Sequence, residues 1–318
     1  GMLRFITRRL ALSVLIVVLS VSLLFGMIHM IPGDPASVIL GPRATPELRA
    51  ELNERMGLDR PFAVQLGRFL GNVALGDLGE DPFSRRAVSD IVFEQLPFTL
   101  MLVFAAIGAA TLLGVPLGCY SALHRGSWLD RLTAILSVAF IAIPSFVVAL
   151  YALLLLSVKQ RWFPAIGAGE TGNLADQLWH LVLPAFALGL GWVGYIARLV
   201  RASMLEVLEE NHVRTARAFG LPERVIIGRY ALRIAILPTV TILGLGIGTM
   251  LSGALFAEIV FSRPGIGKLL YEAVMTRNYP VVMGSVLVTT VFFVASTMVS
   301  DIVNAMLDPR LREPGGRS

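Results

Sequence analysis

The segment LPFTLMLVFAAIGAATLLGVPLGCYSAL, residues 96–123, decides the fold of this chain. It runs for 28 residues without an aspartate, glutamate, lysine or arginine. About 20 apolar residues in a helix are enough to cross the roughly 30 Å hydrocarbon core of a bilayer. The segment therefore predicts a membrane-spanning helix, and the remaining sequence can be searched for further segments of the same kind.

The composition of the whole chain agrees with a membrane environment. Of its 318 residues, 55% are hydrophobic and 15% are charged, whereas about 25% of the residues of an ordinary globular protein are charged. Too little polar surface is available to coat a compact body of this size in water. A wholly soluble domain and a disordered chain are therefore excluded.

Six long apolar segments with almost no charge punctuate the sequence, and they predict an all-α integral membrane protein with six transmembrane helices. The first exceeds the apolar region of a signal peptide, so we expect it to be retained as a span. The predicted spans are residues 10–31, 96–123, 132–158, 181–199, 234–257 and 281–303. The predicted divisions are an N-terminal segment 1–9, the first helix 10–31, a loop 32–95, a five-helix core 96–303 that includes a loop at 200–233, and a tail 304–318.

The positive charges predict which side of the membrane each loop occupies. Lys and Arg favour the cytoplasmic side when they lie in short loops near the spans. The four segments on the side of the termini hold 15 of these residues, and the two short loops on the other side hold 5. We therefore expect both termini in the cytoplasm and the loop 32–95 outside it. That loop has helical spacing of apolar residues at 46–56 and 61–73, which predicts a small helical cap.

The most unusual segment lies between the fourth and fifth predicted spans. Asn211 is suited to cap a short helix, in which apolar Val213, Ala216 and Phe219 recur at helical spacing. Gly220 then predicts the end of the helix, because a glycine after a helix readily adopts a left-handed conformation. The sequence therefore predicts a short helix set at an angle to the spans.

This short helix has the chemistry of a docking surface. Small residues at Ala216, Ala218 and Gly220 would permit the close approach of another protein, and Arg214 and Arg217 could pair with its acidic groups. An ordinary basic loop is the alternative, and a DNA-binding helix-turn-helix is a superficial one. A DNA reader tethered closely between two membrane spans could hardly enter a major groove, so we favour the docking surface.

Several residues inside the predicted spans have two interpretations each. Gly244 and Gly248 in the fifth span would allow close helix packing or line a pathway, and we favour packing. Ser252 and Glu258 complete the candidate pathway or gate set. For Glu258 a structural role in an outer loop is as plausible as contact with a substrate. Prolines 116, 144 and 184 lie inside the second, third and fourth spans, where they could kink the helices.

Metal and nucleotide chemistry is not expected in this chain. The four histidines lie in different segments without ligand spacing, and Cys119 is the single cysteine. The segment S-R-P-G-I-G-K-L at 262–269 lacks the first glycine and the final Ser or Thr of a phosphate-binding loop. We therefore predict a non-enzymatic chain that binds no metal and no cofactor of its own.

Motifs in order along nearly the whole sequence resemble the permease subunits of ATP-binding-cassette importers, in the dipeptide and oligopeptide branch. The cytoplasmic-loop signature of that family corresponds to R-T-A-x3-G at 214–220. The Glu and Pro that are usual in this signature are absent here. Peptide-type permeases usually lack them too, so their absence favours the peptide branch of the family. The other motifs are I-P-G-D-P at 31–35, G-D-L-G at 76–79, E-I-V-F-S-R-P-G-I-G at 258–267 and N-Y-P-V-V at 278–282.

The resemblance implies a fold, a complex and a set of contacts. It implies the type I importer permease fold, a prokaryotic inner membrane, a second homologous permease, two ATPase subunits that bind ATP and Mg, an extracytoplasmic binding protein, a peptide substrate and lipid, with no nucleic acid. A second, smaller contact with the ATPase would come from His124, Arg125 and Asp130. The coupling helix implied for the ATPase groove comprises Asn211, Val213, Arg214, Thr215, Ala216, Arg217, Ala218, Phe219, Gly220 and Leu221.

Other substrates and one other function class stay open at this point. Permeases for nickel chelates, glutathione and some oligosaccharides are similar to the peptide branch. A secondary carrier is the remote alternative, and it would be expected to show inverted repeats and ionisable residues near mid-span. The sequence shows no inverted repeat. Its acidic residues at the spans, Glu258 and Asp301, lie near span ends and not near mid-span.

Overall fold

The computed structural model describes residues 1–31 and 35–307, and the regular structure of these residues is helical. Residues 32–34 of the first motif and residues 308–318 of the predicted tail lie outside the described part. The helices are α1 (Met2–His29), α2 (Pro35–Leu40), α3 (Pro46–Met56), α4 (Phe62–Ala74), α5 (Val88–Leu123), α6 (Trp128–Ala142), α7 (Ser145–Ala152), α8 (Leu174–Leu208), α9 (Asn211–Ala218), α10 (Glu223–Val225), α11 (Leu232–Ala235), α12 (Leu237–Val260), α13 (Ile266–Met275) and α14 (Tyr279–Leu307).

Five of these helices are each long and apolar enough to cross a membrane, namely α1, α5, α8, α12 and α14. They correspond to the first, second, fourth, fifth and sixth predicted spans. The third predicted span corresponds to α6 and α7 with the π-helical turn Leu153–Lys159 that follows α7. Together these segments are long and apolar enough for a sixth crossing. The prediction of six spans is therefore confirmed when this bent pair is counted as one of them.

The third predicted span is not one straight helix. The chain bends by 97° between α6 and α7. The bend falls at Ile143 and Pro144, which both have extended backbone. Proline has no N–H to donate and disfavours helical geometry in the residue before it, so the apolar run 132–158 continues while the helix does not. Pro116 and Pro184, by contrast, lie within unbroken α5 and α8.

The centre of the protein is formed where α5 and α8 run along each other. A Cβ added at Gly118 would lie 2.6 Å from the carbonyl oxygen of Ala197, and one at Gly189 would lie 2.9 Å from that of Ala106. Such short distances show that the two backbones nearly touch, which small residues permit between membrane helices. Helices α6 and α12 pack against this pair, and α14 packs between α12 and α1.

The loop after α1 folds as the predicted helical cap. Helices α3 and α4 lie within a residue of the predicted segments 46–56 and 61–73. Thr45 accepts a hydrogen bond from the Leu48 N–H and so caps α3. Phe25 of α1 stacks on Phe69 of α4 with ring centroids 5.6 Å apart, and this contact fastens the cap to the first span.

Candidate functional site

The predicted coupling segment begins with an extension of the fourth span. Helix α8 continues nine residues beyond the predicted end at residue 199, to Leu208. A turn at Glu209 and Glu210 then leads into α9, and α10 and α11 follow before α12 begins. The first residues of the predicted loop 200–233 are thus part of α8. Helix α9 therefore follows directly after the end of one continuous helix.

One face of α9 is buried against this chain. Val213 and Ala216 are buried, and they form one apolar cluster with Met204 and Val207 of α8 and with Ile226. The sequence-based expectation that Ala216 is free to contact another protein is therefore wrong, because its side chain packs inside the chain. The buried contact fixes α9 to the end of α8 and to the segment 226–231 that leads towards α12.

The turn after α9 has the geometry predicted for Gly220. Its φ is +75°, in the left-handed region that favours glycine. The Gly220 N–H donates to the carbonyl of Arg217 at 3.0 Å, and the Leu221 N–H donates to that of Ala216 at 3.4 Å. These bonds close the helix and redirect the chain.

The start of α9 differs from the prediction. Asn211 is the first residue of the helix, and Glu210 occupies the capping position without a side-chain hydrogen bond. The Asn211 carbonyl instead accepts a hydrogen bond from the Thr215 hydroxyl at 2.9 Å. His212 holds the other end of the segment, since its Nε2 lies 3.0 Å from the Tyr230 carbonyl oxygen.

The outward face of α9 combines an aromatic tip with positive charge. Phe219, which the apolar spacing placed on the same stripe as Val213, is 80% exposed. Arg214 and Ala218 are also exposed. Arg217 lies 3.5 Å from Glu223 in an exposed ion pair, which is worth little in water and can be exchanged for another acidic partner. Exposed aromatic and arginine side chains together are typical of binding hot spots.

The second predicted contact is divided by the structure. His124 and Arg125 are exposed in the short loop between α5 and α6. Asp130 is buried, and Arg201 of α8 donates to it twice, through Nε at 2.7 Å and Nη2 at 2.9 Å. The Gly126 N–H donates to the same carboxylate at 3.0 Å. Asp130 therefore holds the loop in place, and only its neighbours are presented outward.

Arg201 is a functional candidate that sequence reasoning missed. It lies 71 residues from Asp130 in the sequence, so no local spacing connects the two. The signal that was available is an arginine two residues beyond the predicted end of the fourth span, together with an acidic residue two residues before the predicted start of the third.

Glu258 has a structural role in the segment between α12 and α13. Its carboxylate is fully buried and accepts hydrogen bonds from the Thr99 hydroxyl at 2.6 Å and from the Lys268 N–H at 2.9 Å. Thr99 in turn accepts from the Ile266 N–H at 2.8 Å. A Cβ at Gly265 would collide with this carboxylate. Glu258 therefore anchors the beginning of α13 to α12 and α5.

Arg263 follows in the same turn and is also buried. Its Nη2 donates to the Phe98 carbonyl at 3.3 Å. Burial lowers the pKa of Arg263, and the Glu258 carboxylate only partly opposes this shift. The turn at 261–265 thus lies beside two buried side chains, the acidic Glu258 and the basic Arg263.

Two of the motifs meet at the start of α14. Asn278 of N-Y-P donates through Nδ2 to Asp81 at 2.9 Å, close after the G-D-L-G motif. Asp81 also accepts from the Phe83 N–H at 3.0 Å and from the Ser84 hydroxyl at 2.8 Å. Burial raises the pKa of Asp81, but these hydrogen bonds together outweigh it and hold the pKa below its ordinary value.

The candidate pathway glycines lie in helix contacts. A Cβ at Gly244 would collide with Ser300, and one at Gly248 would collide with the Phe293 ring. Both glycines therefore allow α14 to approach α12, which is the packing alternative. Ser252 is exposed, so it stays a candidate for the pathway.

These observations define a class of protein. Several membrane-spanning helices packed into one bundle, together with a short helix that is anchored inward and carries an aromatic and basic outer face, are the features of a transport subunit driven by a partner. The comparisons with known proteins identify its family. The chain belongs to the binding-protein-dependent transport system inner membrane components: that family's model matches residues 114–313, and the model of its N-terminal region matches residues 2–103.

Curated relatives match this chain over nearly all of its length. It is 38% identical to the di/tripeptide transport system permease protein DppB of Pseudomonas aeruginosa, covering 98% of this chain and 99% of the relative. It is 34% identical to the dipeptide transport system permease protein DppB of Alkalihalophilus pseudofirmus, covering 98% and 100%. It is 35% identical to the glutathione transport system permease protein GsiC of Salmonella paratyphi A, covering 98% and 99%.

A solved structure agrees on the fold. A chain of the inward-facing MetNI methionine ABC transporter superposes with a TM-score of 0.57 at 18% identity, covering 68% of this chain and 95% of that one. The protein is therefore a multi-pass inner membrane permease subunit of an ABC transporter.

Proposed function

We propose that this chain and a second homologous permease form the translocation pathway of an ATP-driven importer of di- or oligopeptides. ATP and Mg would be bound by two partner ATPase subunits, and an extracytoplasmic binding protein would deliver the peptide. The names of the relatives, which are dipeptide and di/tripeptide permeases at 34% and 38% identity, support the substrate class.

The geometry of α9 is the observation that carries the coupling part of this proposal. Its inner face is buried against residues of α8 and of the segment before α12. Its outer face presents Phe219 and Arg214. A groove of the ATPase that holds this outer face would therefore move the end of α8 and the segment before α12, because the inner face of α9 is packed against both.

The second contact and the orientation follow from neighbouring features. His124 and Arg125 would touch the same ATPase, with Asp130 and Arg201 holding their loop against α8. Arg9 of α1 lies 3.0 Å from Asp301 of α14. This ion pair joins the first part of α1 to the last part of α14 at one face of the bundle, which the distribution of Lys and Arg predicts to be cytoplasmic.

Glutathione import is the second candidate for the substrate. It is favoured by the GsiC relatives, one of which is 35% identical to this chain over 98% of its length. The coupling geometry would be the same for both substrates, so the two candidates differ only in what the complex accepts.

The experiment is purification of the tagged chain in mild detergent, with identification of the proteins that accompany it and an ATPase assay in lipid. We expect a second permease and ATPase subunits, and hydrolysis that rises when the binding protein is loaded with dipeptides or tripeptides. A rise with glutathione alone would select the second candidate. Recovery of this chain by itself, active in transport without ATP, would overturn the proposal in favour of a secondary carrier.

A further inference from the structure

The break between α6 and α7 interrupts the helical hydrogen bonds inside an apolar segment of the chain. It lies at Ile143 and Pro144, about halfway along the predicted span 132–158. The last carbonyls of α6 and the first N–H groups of α7 lose the partners that a continuous helix would supply. Hydrocarbon cannot replace those partners, so broken backbone at this depth must be covered by protein or face water.

A cavity lies directly at the break. It has a volume of about 240 Å³ and is bounded by α6 and α7 on one side and by α8 on the other. Phe140 and Gly191 line it from opposite sides, and the Phe140 carbonyl oxygen lies 3.3 Å from the place of a Cβ on Gly191. The α6 backbone therefore approaches α8 closely beside the cavity, and α8 contributes residues close to the centre of the fourth predicted span.

The side chains around this cavity are uncharged and partly aromatic. Trp192 and Tyr195 stand in an edge-to-face arrangement with ring centroids 5.8 Å apart. Ser145, the first residue of α7, adds a hydroxyl, and the Tyr195 side chain, 42% exposed, adds a second. Such a wall offers apolar surface together with a few hydrogen-bonding groups, which is the usual composition of a binding site for a small organic molecule.

We propose that this cavity is this chain's wall of the translocation pathway, where it contacts the amide groups and apolar side chains of the transported peptide. The inference rests on the proposed function. Its volume is below the roughly 300–1,000 Å³ of complete ligand pockets, as expected for one wall of a pathway that two permeases share. The hydroxyls of Ser145 and Tyr195 are the groups that would face the peptide amides.

Lipid is a poor occupant for the same cavity. Acyl chains would fill the apolar part but would leave the backbone groups of the break without hydrogen bonds, which is costly in a bilayer. Water and a peptide can satisfy those groups, and water can leave when a peptide arrives. A side chain of the second permease could also fill the cavity, and the experiment separates this case from the pathway.

Cysteine accessibility tests the proposal, because Cys119 is the single cysteine of the chain. In a Cys119→Ala background, the whole complex is reconstituted in nanodiscs with Ser145→Cys or Tyr195→Cys. The matched controls are Ile135→Cys on α6 and Leu112→Cys on α5, which lie in apolar spans and are 67% and 77% exposed. A charged, water-soluble thiosulfonate is the probe, and the labelling rate is followed by mass spectrometry.

We expect the two cavity positions to be labelled roughly tenfold faster than the two controls, because only water carries the probe. Labelling should change when ATP and vanadate trap the complex, and it should slow when peptide-loaded binding protein is present. Equal rates at all four positions would overturn the proposal, as would fast labelling that neither nucleotide nor peptide alters. Slow labelling at the cavity in every state would assign it to the contact between the two permeases.

The same experiment separates this inference from the proposed function. If nucleotide changes the labelling but no ordinary di- or tripeptide does, while S-methylglutathione, which has no thiol to consume the probe, does, the cavity is still the pathway and the substrate class is wrong. If peptide stimulates ATP hydrolysis but the cavity positions behave like the controls, the importer is established and this assignment of its wall is wrong.

Discussion

Substitution of Gly220 by valine tests whether transport depends on the turn that follows α9. Gly220 has φ of +75° and no atom within 4 Å of the place of a Cβ, so the cost of valine comes from the backbone alone. An L residue in this region costs roughly 1–2 kcal/mol, and a β-branched one is a genuine outlier there. That cost lowers the equilibrium ratio of the native turn to a relaxed one about 5–30-fold, and the population falls by as much once the native turn is the minor form.

We expect ATP-driven peptide uptake into proteoliposomes to fall by about the same factor of 5–30. The complex should still assemble on a sizing column, because the buried side chains of Val213 and Ala216 continue to hold α9. The outer face is what changes, since Phe219 immediately precedes the turn. ATP hydrolysis should fall less than uptake, which is the sign of lost coupling.

Two matched variants isolate the backbone as the cause. Gly228→Val also adds a side chain where nothing lies within 4 Å, but Gly228 does not have a left-handed φ, so uptake should stay near the wild-type rate. Gly220→Asn should retain most of the uptake, because asparagine tolerates the left-handed region. Wild-type uptake in Gly220→Val, or equal losses in the valine and asparagine variants, would refute the reasoning.

Three further predictions concern stability. Arg201→Met should destabilise the complex by about 3 kcal/mol, the lower end of the range for breaking a buried ion pair, because the guanidinium is partly exposed. In thermal melting in detergent, adding Asp130→Leu should recover part of this loss. No recovery would argue against the ion pair. Gly248→Ala should cost roughly 1–3 kcal/mol through its collision with Phe293, and adding Phe293→Ala should reduce the loss in the same melting assay. The pKa of Asp81 is lower in the folded chain than its ordinary value of 3.8, so its hydrogen bonds stabilise the fold above that pH and lose their effect as the pH falls through the folded-state pKa. The difference in melting temperature between wild type and Asp81→Asn should therefore be large at neutral pH and small in strong acid. A difference that does not change with pH would contradict the assignment.

Hydropathy located the spans well because their length is set by the bilayer. Each of the five unbroken spans includes or overlaps its predicted segment, and the helical cap lies within a residue of its prediction. The break at Pro144 could not be placed by the same signal, because the residues on both sides are equally apolar. Proline marked three possible kinks, and only packing decided that α5 and α8 stay continuous at Pro116 and Pro184 while the third span turns.

The candidate site was predictable where its signals are local. The turn at Gly220 follows from the type of one residue, and the structure has it. The roles of Asp130 and Glu258 depend on partners 71 and 159 residues away, Arg201 and Thr99, and no spacing in a single sequence connects such pairs. The inward face of Ala216 was missed for the same reason, since the surface that covers it comes from other helices.

Helix α12 joins the two ends of the molecule on which the proposed transport cycle would act. Before its start, Ile226 and Ala235 belong to the cluster that buries Val213 of α9, and Leu243 of α12 itself packs against that cluster. Near its other end, Glu258 holds the beginning of α13. Packed interiors do not deform continuously, so a displacement of α9 must carry α12 with it or break that cluster. On the proposed function, work applied by an ATPase at α9 would therefore reach the turn at 261–265 through this cluster and α12, and it would displace the α7 and α8 walls of the cavity, against which α12 packs.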